Sequence, residues 1–313
     1  MSGKPSAQGS GSLQNGLIVA NYGRHYLVET PSRERVICHS RGKRSQAVVG
    51  DRVQWLASLD SGTIERIATR RNLLSRQDDT RTKTFAANLD LVLILIAPEP
   101  EFSSRQLARA LIAAHEQGIT PLIVLNKRDL QPAFEGAWQR LQPYRAMGYE
   151  VLALSAKHDA RSEIDALRAR LQGLTALILG PSGSGKSTLI NKLIPDANAQ
   201  TGALSKAMSS GRHTTTSTTW YWVDLDPETA LIDSPGFQEF GLHHIDPAQL
   251  PSFMPDIGSH ATECRFYNCT HLHEPACAVR AAVNAESEQG INPQRYEIYA
   301  DLFEELAQAR RAI

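Results

Sequence analysis

The sequence predicts a multidomain protein with an N-terminal β-barrel, a central α/β domain and a small helical domain at the C-terminus. Three observations predict this arrangement: short alternating apolar runs come first, then long apolar runs that alternate with helical patterns, and finally a cluster of cysteines and histidines. A chain of 313 residues is also longer than one small domain requires. Its 33 basic and 33 acidic residues balance, so the net charge favours no class of partner.

The segment between Gly16 and Gln77 has the pattern of a small barrel. Short apolar-alternating runs are separated by turn residues, and they predict strands near Gly16–Ala20, Tyr26–Glu29, Arg35–Cys38, Asp51–Ala57 and Thr63–Ile67. Five such strands are typical of an oligonucleotide-binding (OB) barrel. Cys38 ends a predicted strand, where we expect it to be a small core residue.

Positive charge is concentrated in and just after the predicted barrel. Few acids interrupt these runs, whose basic residues are Arg33, Arg35, Arg41, Lys43, Arg44, Arg66, Arg70, Arg71, Arg76, Arg81 and Lys83. Such charge either contacts nucleic-acid phosphates or only hydrates the surface of a barrel. The pattern alone leaves both interpretations open.

The character of the chain changes at Ala87–Ala97, a continuous apolar run typical of a parallel strand covered on both faces. Predicted helices and strands then alternate along the chain. The helices lie near Ser104–Gln117, Phe134–Met147 and Glu163–Leu171, and the strands at Pro121–Leu125, Val151–Leu154 and Ala176–Leu179. This alternation predicts a doubly wound α/β domain whose ligand lies at the carboxyl ends of the strands.

The phosphate-loop pattern G-x-x-x-x-G-K-[ST] follows the last of these strands. Its residues are Gly180, Pro181, Ser182, Gly183, Ser184, Gly185, Lys186, Ser187 and Thr188, and a helix is predicted at Leu189–Ile194. The glycines let successive N–H groups point at one phosphate chain beside a helix N-terminus. Lys186 can reach the β- and γ-phosphates, and the Ser187 hydroxyl can bind Mg²⁺. The pattern predicts a nucleoside phosphate site, the alternative being a chance glycine-serine loop.

Two earlier strand ends carry residues suited to a guanine base. They are Asn126, Lys127, Arg128 and Asp129 at one end and Ser155, Ala156 and Lys157 at the next. Asp129 can accept hydrogen bonds from guanine N1–H and N2–H₂, two donors that adenine lacks. Asn126 would hold the loop and the base, Lys127 would lie over the ring, and the Ala156 N–H would meet the guanine carbonyl oxygen. The joint occurrence of the two motifs argues against two ordinary turns. Together they predict a site that binds guanine rather than adenine nucleotides.

Two later segments have the composition of γ-phosphate sensors. In the polar stretch Gly211–Thr218 one threonine could bind Mg²⁺; Thr215 is favoured, and Thr214 and Thr216 remain alternatives. A predicted strand at Ala230–Ile232 leads into Asp233-Ser-Pro-Gly236. There Asp233 can hold Mg²⁺ through water, and the Gly236 N–H can bond the γ-phosphate. The predicted magnesium region therefore comprises Ser187, Thr215 and Asp233.

Near the C-terminus, Cys264, Cys269 and Cys277 lie close to two histidines, His271 and His273. Three thiolates and one imidazole form a complete tetrahedral set for a structural zinc ion, with no position left open for catalysis. The odd number of cysteines within this cluster and the small number in the chain argue against disulfides. An amphipathic helix at Asn292–Ala312 is predicted to pack on this module.

These motifs stand in a permuted order, with the base-recognition motifs before the phosphate loop and D-x-x-G last. In this order, between a barrel and a cysteine cluster, the chain closely resembles the ribosome small-subunit-dependent GTPase A family of bacteria. The resemblance implies a circularly permuted P-loop GTPase that acts late in maturation of the 30S subunit and is stimulated by that subunit. It also implies contact with 16S rRNA, and His271 rather than His273 as the fourth zinc ligand.

The residue that assists hydrolysis does not follow the conventional pattern. Conventional GTPases often place a water-orienting Gln directly after D-x-x-G, but Phe237 occupies that position here and Gln238 follows it. The family resemblance implies His244, in the segment Gly241–Ile245, as the residue implicated in hydrolysis. The predicted catalytic residues are therefore His244, Thr215 and Lys186. The alternative for His244 is an isolated histidine with a structural role.

We predict four segments: a tail at 1–12, an OB barrel at 13–80, a permuted GTPase domain at 81–240 and a zinc-binding helical domain at 241–313. The polar tail lacks the pattern of a signal sequence, and no apolar run is long enough to span a bilayer, so we expect a cytoplasmic monomer without a membrane partner. One rival function is an RNA-binding assembly scaffold whose GTP site turns over negligibly. A second rival is an ATP-using enzyme, which Asp129 argues against.

Overall fold

The computed structural model describes residues 12–41, 47–58, 61–77, 82–158, 161–195, 197, 218–234, 241–283 and 290–311. Within these residues the chain forms a closed barrel, a mostly parallel sheet with helices on both faces, and a small C-terminal unit rich in turns. The barrel, the α/β sheet and the cysteine cluster agree with the predicted fold class. The exact domain boundaries stay predictions.

Five strands form the barrel: β1 (Gln14–Tyr22), β2 (His25–Glu29), β3 (Arg35–Ser40), β4 (Arg52–Ala57) and β5 (Gly62–Ile67). Their order is β1-β2-β3-β5-β4, and pairing of β4 back onto β1 closes the ring. All pairs are antiparallel except β3 with β5. The five predicted strands are confirmed, with boundaries that move by at most two residues.

Apolar side chains that alternate along the strands fill the barrel interior. Val28, Cys38, Val53, Trp55 and Ile64 are all buried there. The packing leaves no room for a side chain at position 62, because a Cβ on Gly62 would lie 2.5 Å from both Cys38 Sγ and the Trp55 ring. Burial raises the pKa of the Cys38 thiol to about 11, so this cysteine is a core residue, as predicted.

A hairpin that the sequence pattern did not predict follows the barrel. Its strands are β6 (Leu73–Gln77) and β7 (Thr82–Ala87), paired antiparallel. Asn72 fixes the base of the hairpin, since its side chain donates to Leu89 O and accepts from Leu89 N, both at 2.8 Å. The hairpin spans residue 80, where the barrel was expected to end.

Six strands build the α/β sheet: β8 (Leu91–Ile96), β9 (Thr120–Leu125), β10 (Val151–Ala153), β11 (Thr175–Leu179), β12 (Thr219–Leu225) and β13 (Glu228–Asp233). Their order is β10-β9-β8-β11-β13-β12, and all neighbours are parallel except β12 with β13. The antiparallel edge strand β12 was not predicted. It also touches the barrel, where Thr219 pairs with Ala20 of β1.

Five helices accompany this sheet: α1 (Ser104–Glu116), α2 (Ala133–Arg140), α3 (Gln142–Ala146), α4 (Arg161–Leu171) and α5 (Lys186–Leu193). The prediction of one helix at Phe134–Met147 is wrong, because α2 and α3 are separate. Pro143 explains the break: it has no N–H to continue the helical bonding and its ring excludes the preceding turn. Leu141 lies between the two helices and is fully buried.

The C-terminal unit contains a 3₁₀ segment at Pro247–Phe253 and the helices α6 (Pro255–Ala261), α7 (Ala278–Ala282) and α8 (Pro293–Arg311). Helix α8 matches the predicted amphipathic helix and buries Ile298, Tyr299, Leu302 and Leu306. No helix among the described residues is long and apolar enough to cross a membrane.

Ion pairs join α8 to the α/β domain. Arg105 and Arg109 of α1 pair with Asp301 and Glu305, residues spaced by four on each helix. Nearby, Arg295 is only 4% exposed and donates to both carboxylate oxygens of Asp256, at 2.8 and 2.9 Å. The C-terminal unit is therefore fixed to the face of α1 by charged contacts as well as by packing.

Candidate nucleotide and metal sites

The phosphate loop joins β11 to α5 at the carboxyl edge of the sheet. Gly183 and Gly185 have φ of +79° and +99°, a region that side chains other than glycine rarely adopt. A Cβ on Gly185 would lie 2.3 Å from Asn126 Nδ2, and one on Gly180 would lie 2.2 Å from Leu95 O. The three glycines thus permit a loop that is both curled and in close contact with neighbouring strand ends.

Lys186, the first residue of α5, turns back over the loop. Its Nζ donates to Gly180 O at 2.5 Å and to Pro181 O at 3.1 Å. Burial lowers the pKa of this amine, while the nearby Asp233 carboxylate acts in the opposite direction. The ammonium group therefore lies partly desolvated at the mouth of the loop, where a bound phosphate would replace the carbonyl contacts.

The remaining phosphate-loop residues and Asp233 surround the same position. Ser182, Ser187 and Thr188 are exposed, and Ser184 is fully buried. Asp233 ends β13, the strand beside β11, and is buried. The fold thus brings Asp233 beside the phosphate loop, where the sequence predicted a magnesium region.

Asn126 connects the phosphate loop with the base-recognition loops. Its Nδ2 donates to Ser184 O at 2.8 Å, and its Oδ1 accepts from the Ala156 N–H at 2.9 Å. Asn126 is 3% exposed. The Ala156 N–H, predicted to meet the guanine carbonyl, thus already has a protein acceptor that a base would share or displace.

Asp129 lies at the end of the N-K-R-D loop with two protein neighbours. The Ser155 hydroxyl donates to its Oδ1, and His158 Nε2 lies 3.4 Å from its Oδ2. The hydrogen bond from Ser155 is the main cause that lowers the pKa of Asp129, so the carboxylate is ionised at neutral pH and ready to accept hydrogen bonds. His158 was missed by the sequence analysis, although it directly follows Ser155-Ala156-Lys157.

The other residues of the N-K-R-D loop have defined contacts. Lys127 has φ of +64°, and its Nζ donates to Glu99 O at 2.5 Å. Arg128 Nη1 lies 2.7 Å from Glu163 Oε1. Glu163 was also missed, because a first-turn glutamate eight residues after the S-A-K serine belongs to no motif that the sequence analysis used.

Several predicted residues lie outside the described part of the chain. They are the tail 1–11, the basic residues Lys43, Arg44 and Arg81, the threonines Thr214, Thr215 and Thr216, and Gly236, Phe237 and Gln238. The side chains of Arg76 and Lys83 lie outside it as well. The predictions for all of them stay predictions.

His244 lies in the described chain but not beside the phosphate loop. Its Nε2 is 3.8 Å from Glu116 Oε2, and the neighbouring His243 Nε2 is 3.4 Å from Glu305 Oε1. Glu116 is the last residue of α1, which runs back from the carboxyl end of β8 toward the start of β9. A helix of 13 residues spans about 20 Å, so this end lies at the sheet edge opposite the phosphate loop.

The four predicted zinc ligands form one cluster. The ligand atoms of Cys264, Cys269, His271 and Cys277 all lie within 4.8 Å of one another. Cys264 Sγ is 3.8 Å from Cys277 Sγ, and the two sulfurs are 3.4 and 3.5 Å from His271 Nδ1. Tetrahedral bonds of about 2.3 Å to sulfur place ligand atoms roughly 3.5–3.8 Å apart, which these distances match.

The surroundings of the cluster suit a bound cation. Burial and the neighbouring sulfur atoms raise the pKa of Cys269 to about 12. The Tyr296 hydroxyl of α8 donates to His271 O at 2.8 Å, and the Tyr299 hydroxyl donates to Thr270 O at 2.9 Å. His273, the rival ligand, is exposed and outside the cluster.

A doubly wound sheet in which the base-recognition loops precede the phosphate loop defines a circularly permuted P-loop GTPase. The family described as RsgA GTPase matches residues 67–243 of the chain. The chain belongs to the RsgA GTPase family, and it is a GTPase that takes guanine nucleotides with Mg²⁺.

Relatives resemble the chain along nearly its whole length. The protein named small ribosomal subunit biogenesis GTPase RsgA of Variovorax paradoxus (strain S110) is 61% identical, over 98% of both chains. Its namesake in Paraburkholderia xenovorans (strain LB400) is 49% identical, over 96% of both. Among solved structures, YjeQ from Thermotoga maritima has a TM-score of 0.71 at 28% identity, covering 95% of this chain and 99% of that one. YloQ, a circularly permuted GTPase, has a TM-score of 0.68 at 24% identity, covering 98% of each chain, and supports the fold.

Proposed function

We propose that the chain binds the small ribosomal subunit and hydrolyses GTP to GDP and phosphate late in 30S maturation, with stimulation by the subunit. Relatives that share its full length are named for small ribosomal subunit biogenesis. The observation that carries the proposal is the connection made by Asn126, which joins the phosphate loop to the S-A-K loop in a chain of this family. A protein working on this subunit acts in the cytoplasm, and we propose that it does so as a monomer.

We assign the nucleotide roles as the motifs predict them. Asp129 accepts from the guanine edge, with the Asn126–Arg128 and Ser155–Lys157 segments forming the base pocket. Residues Gly180–Thr188 hold the phosphates, with Lys186 on the β- and γ-phosphates and Ser187 on Mg²⁺. Thr215, Asp233 and Gly236 complete the magnesium and γ-phosphate contacts.

The barrel would supply part of the contact with 16S rRNA, but fewer basic residues are available than the sequence suggested. Arg70 donates to both oxygens of the fully buried Asp51, at 2.7 and 2.8 Å, which makes its role structural. Arg33 and Arg35 both pair with Glu29.

Arg66 is exposed and forms no ion pair with any residue that the structure describes, and the same holds for Arg52. These two line a groove of about 950 Å³ between the barrel and the α/β sheet.

The cluster of Cys264, Cys269, His271 and Cys277 would hold one zinc ion in a folding role. Four protein ligands at tetrahedral spacing leave no open position for catalysis. Zinc would neutralise the crowded thiolates and so stabilise the turns that α8 covers.

The function is tested by GTP hydrolysis of the purified protein, alone and with 30S or 50S subunits at matched salt. We expect strong stimulation by 30S subunits and none by 50S subunits. Equal slow turnover in all three conditions would instead support the rival scaffold, which binds GTP as a signal. For His244 to assist hydrolysis, binding to the subunit must move it from Glu116 to the phosphates.

A further inference from the structure

Glu163, in the first turn of α4, connects the two loops that recognise the base. Its Oε2 accepts from the Ser155 N–H at 2.9 Å, and its Oε1 lies 2.7 Å from Arg128 Nη1. These loops follow different strands, β9 and β10, so a single carboxylate holds both. The Glu163 side chain is 19% exposed, whereas the Arg128 side chain is 58% exposed. The bond to the Ser155 N–H is therefore the better protected of the two.

One further hydrogen bond links Ser155 to Asp129, the residue assigned to the guanine edge. The Ser155 hydroxyl donates to Asp129 Oδ1, and this bond orients the carboxylate that must accept from guanine N1–H and N2–H₂. The next N–H, that of Ala156, is the one predicted to meet the guanine carbonyl. Moving Ser155 would therefore displace both groups that distinguish guanine from other bases.

We propose that Glu163 is a positioning residue for guanine recognition: it holds Ser155 so that Asp129 faces the N1 and N2 donors of the base. The proposal rests on the assignment of Asp129 to the guanine edge under the proposed function. Ser155 and Asp129 lie between Glu163 and the base. Glu163 therefore affects the specificity of binding as well as its affinity.

The test compares GDP with inosine diphosphate, which lacks only the 2-amino group. Binding of both to the full-length protein is measured by competition against a fluorescent GDP analogue. Glu163→Ala leaves the Ser155 N–H without its acceptor, so we expect GDP affinity to fall about tenfold and the preference for GDP over inosine diphosphate to fall with it. Glu163→Gln keeps an acceptor for the N–H and should restore most of that preference.

Asp165→Ala is the matched control, because Asp165 is exposed on the same helix and none of the contacts described involve it. It should leave both affinities unchanged. A parallel loss of both affinities in Glu163→Ala, with the preference intact, would show that Glu163 only supports the fold and would overturn the proposal. If Glu163→Ala does not fold, Glu163→Asp takes its place, because its side chain is one methylene too short to reach the Ser155 N–H. An unchanged preference in that variant would also overturn the proposal. Failure of the wild-type protein to prefer GDP would overturn the assignment of Asp129 instead.

Discussion

At the scale of single residues, the nucleotide site depends on side chains that hold one loop against another. The Asn126 side chain makes two buried hydrogen bonds, to the phosphate loop and to the S-A-K loop. The close approach of Gly185 makes the first of these bonds possible, since any Cβ there would meet the Asn126 amide. The glycine is required by a neighbouring side chain as well as by a phosphate.

Gly185→Ala should therefore damage both folding and binding. The left-handed backbone costs an alanine about 1–2 kcal/mol before the contact with Asn126 is counted, and we expect GDP binding to be lost at micromolar nucleotide. Thermal unfolding and titration with a fluorescent GDP analogue measure the two effects.

Gly136→Ala is the matched control, because position 136 is helical and its Cβ would meet nothing within 4 Å. It should stabilise the protein by roughly 0.5–1 kcal/mol and leave GDP binding intact. Normal GDP binding by the Gly185→Ala protein would contradict the described geometry.

At the scale of elements, contiguous motifs were predictable and contacts between distant segments were not. The phosphate loop and the N-K-R-D and S-A-K motifs are short runs whose chemistry can be inferred from neighbouring residues. Glu163 could not be found this way, since its partner Arg128 is 35 residues distant. Strand β12 was missed because its pattern follows a long polar stretch, and the break at Leu141 was missed because the apolar periodicity continues across Pro143.

The pair between α6 and α8 should contribute far more stability than exposed pairs do. Burial disfavours the charged form of Arg295, but the hydrogen bonds that it donates to Asp256 keep its pKa raised, so the guanidinium stays charged. Removing one partner of a buried pair costs about 3–5 kcal/mol, which we expect for Asp256→Ala in urea unfolding.

Glu150→Ala provides the comparison, because Glu150 pairs with Arg170 at 2.7 Å but both side chains are at least 35% exposed. Its cost should be below about 1 kcal/mol. If the two variants unfold at the same urea concentration, the buried pair contributes no more stability than the exposed one.

At the scale of the whole molecule, Arg52 and Arg66 line a groove between the barrel and the α/β sheet and form no ion pair within the described part of the chain. If Arg52 and Arg66 contact rRNA phosphates, the variant Arg52→Ala/Arg66→Ala should bind 30S subunits more weakly. The slope of log affinity against log salt should also become shallower by about 2, one for each lost phosphate contact. Binding to subunits over a series of salt concentrations measures the slope.

The double variant Arg161→Ala/Arg170→Ala removes the same charge from α4 and should leave that slope unchanged. Both pairs of substitutions spare the nucleotide site, so GDP affinity should not change in either protein. Equal slopes for all the proteins would place the phosphate contacts elsewhere on the molecule.

The tie between His244 and Glu116, whose side chains lie 3.8 Å apart, joins the segment that follows the predicted γ-phosphate sensor to the end of α1. The neighbouring His244 ring, 3.8 Å away, is the main cause that lowers the pKa of Glu116 below its ordinary value of 4.5. The tie therefore contributes stability above about pH 4.5, and this contribution is lost as the pH falls through the lower pKa of the folded state. At neutral pH the carboxylate is charged.

If His244 assists hydrolysis, this tie holds it away from the phosphates, and weakening the tie should raise turnover in the absence of the subunit. Glu116→Gln removes the charge, and because a partly exposed pair contributes up to about 1 kcal/mol, we expect basal GTP hydrolysis to rise by up to about fivefold. The stimulation by 30S subunits should shrink by the same factor, since part of the subunit's effect is already present. His244→Ala in the same background should abolish the increase. A Glu116→Gln protein with unchanged basal turnover, or an increase that survives loss of His244, would show that this histidine only packs the C-terminal unit against α1.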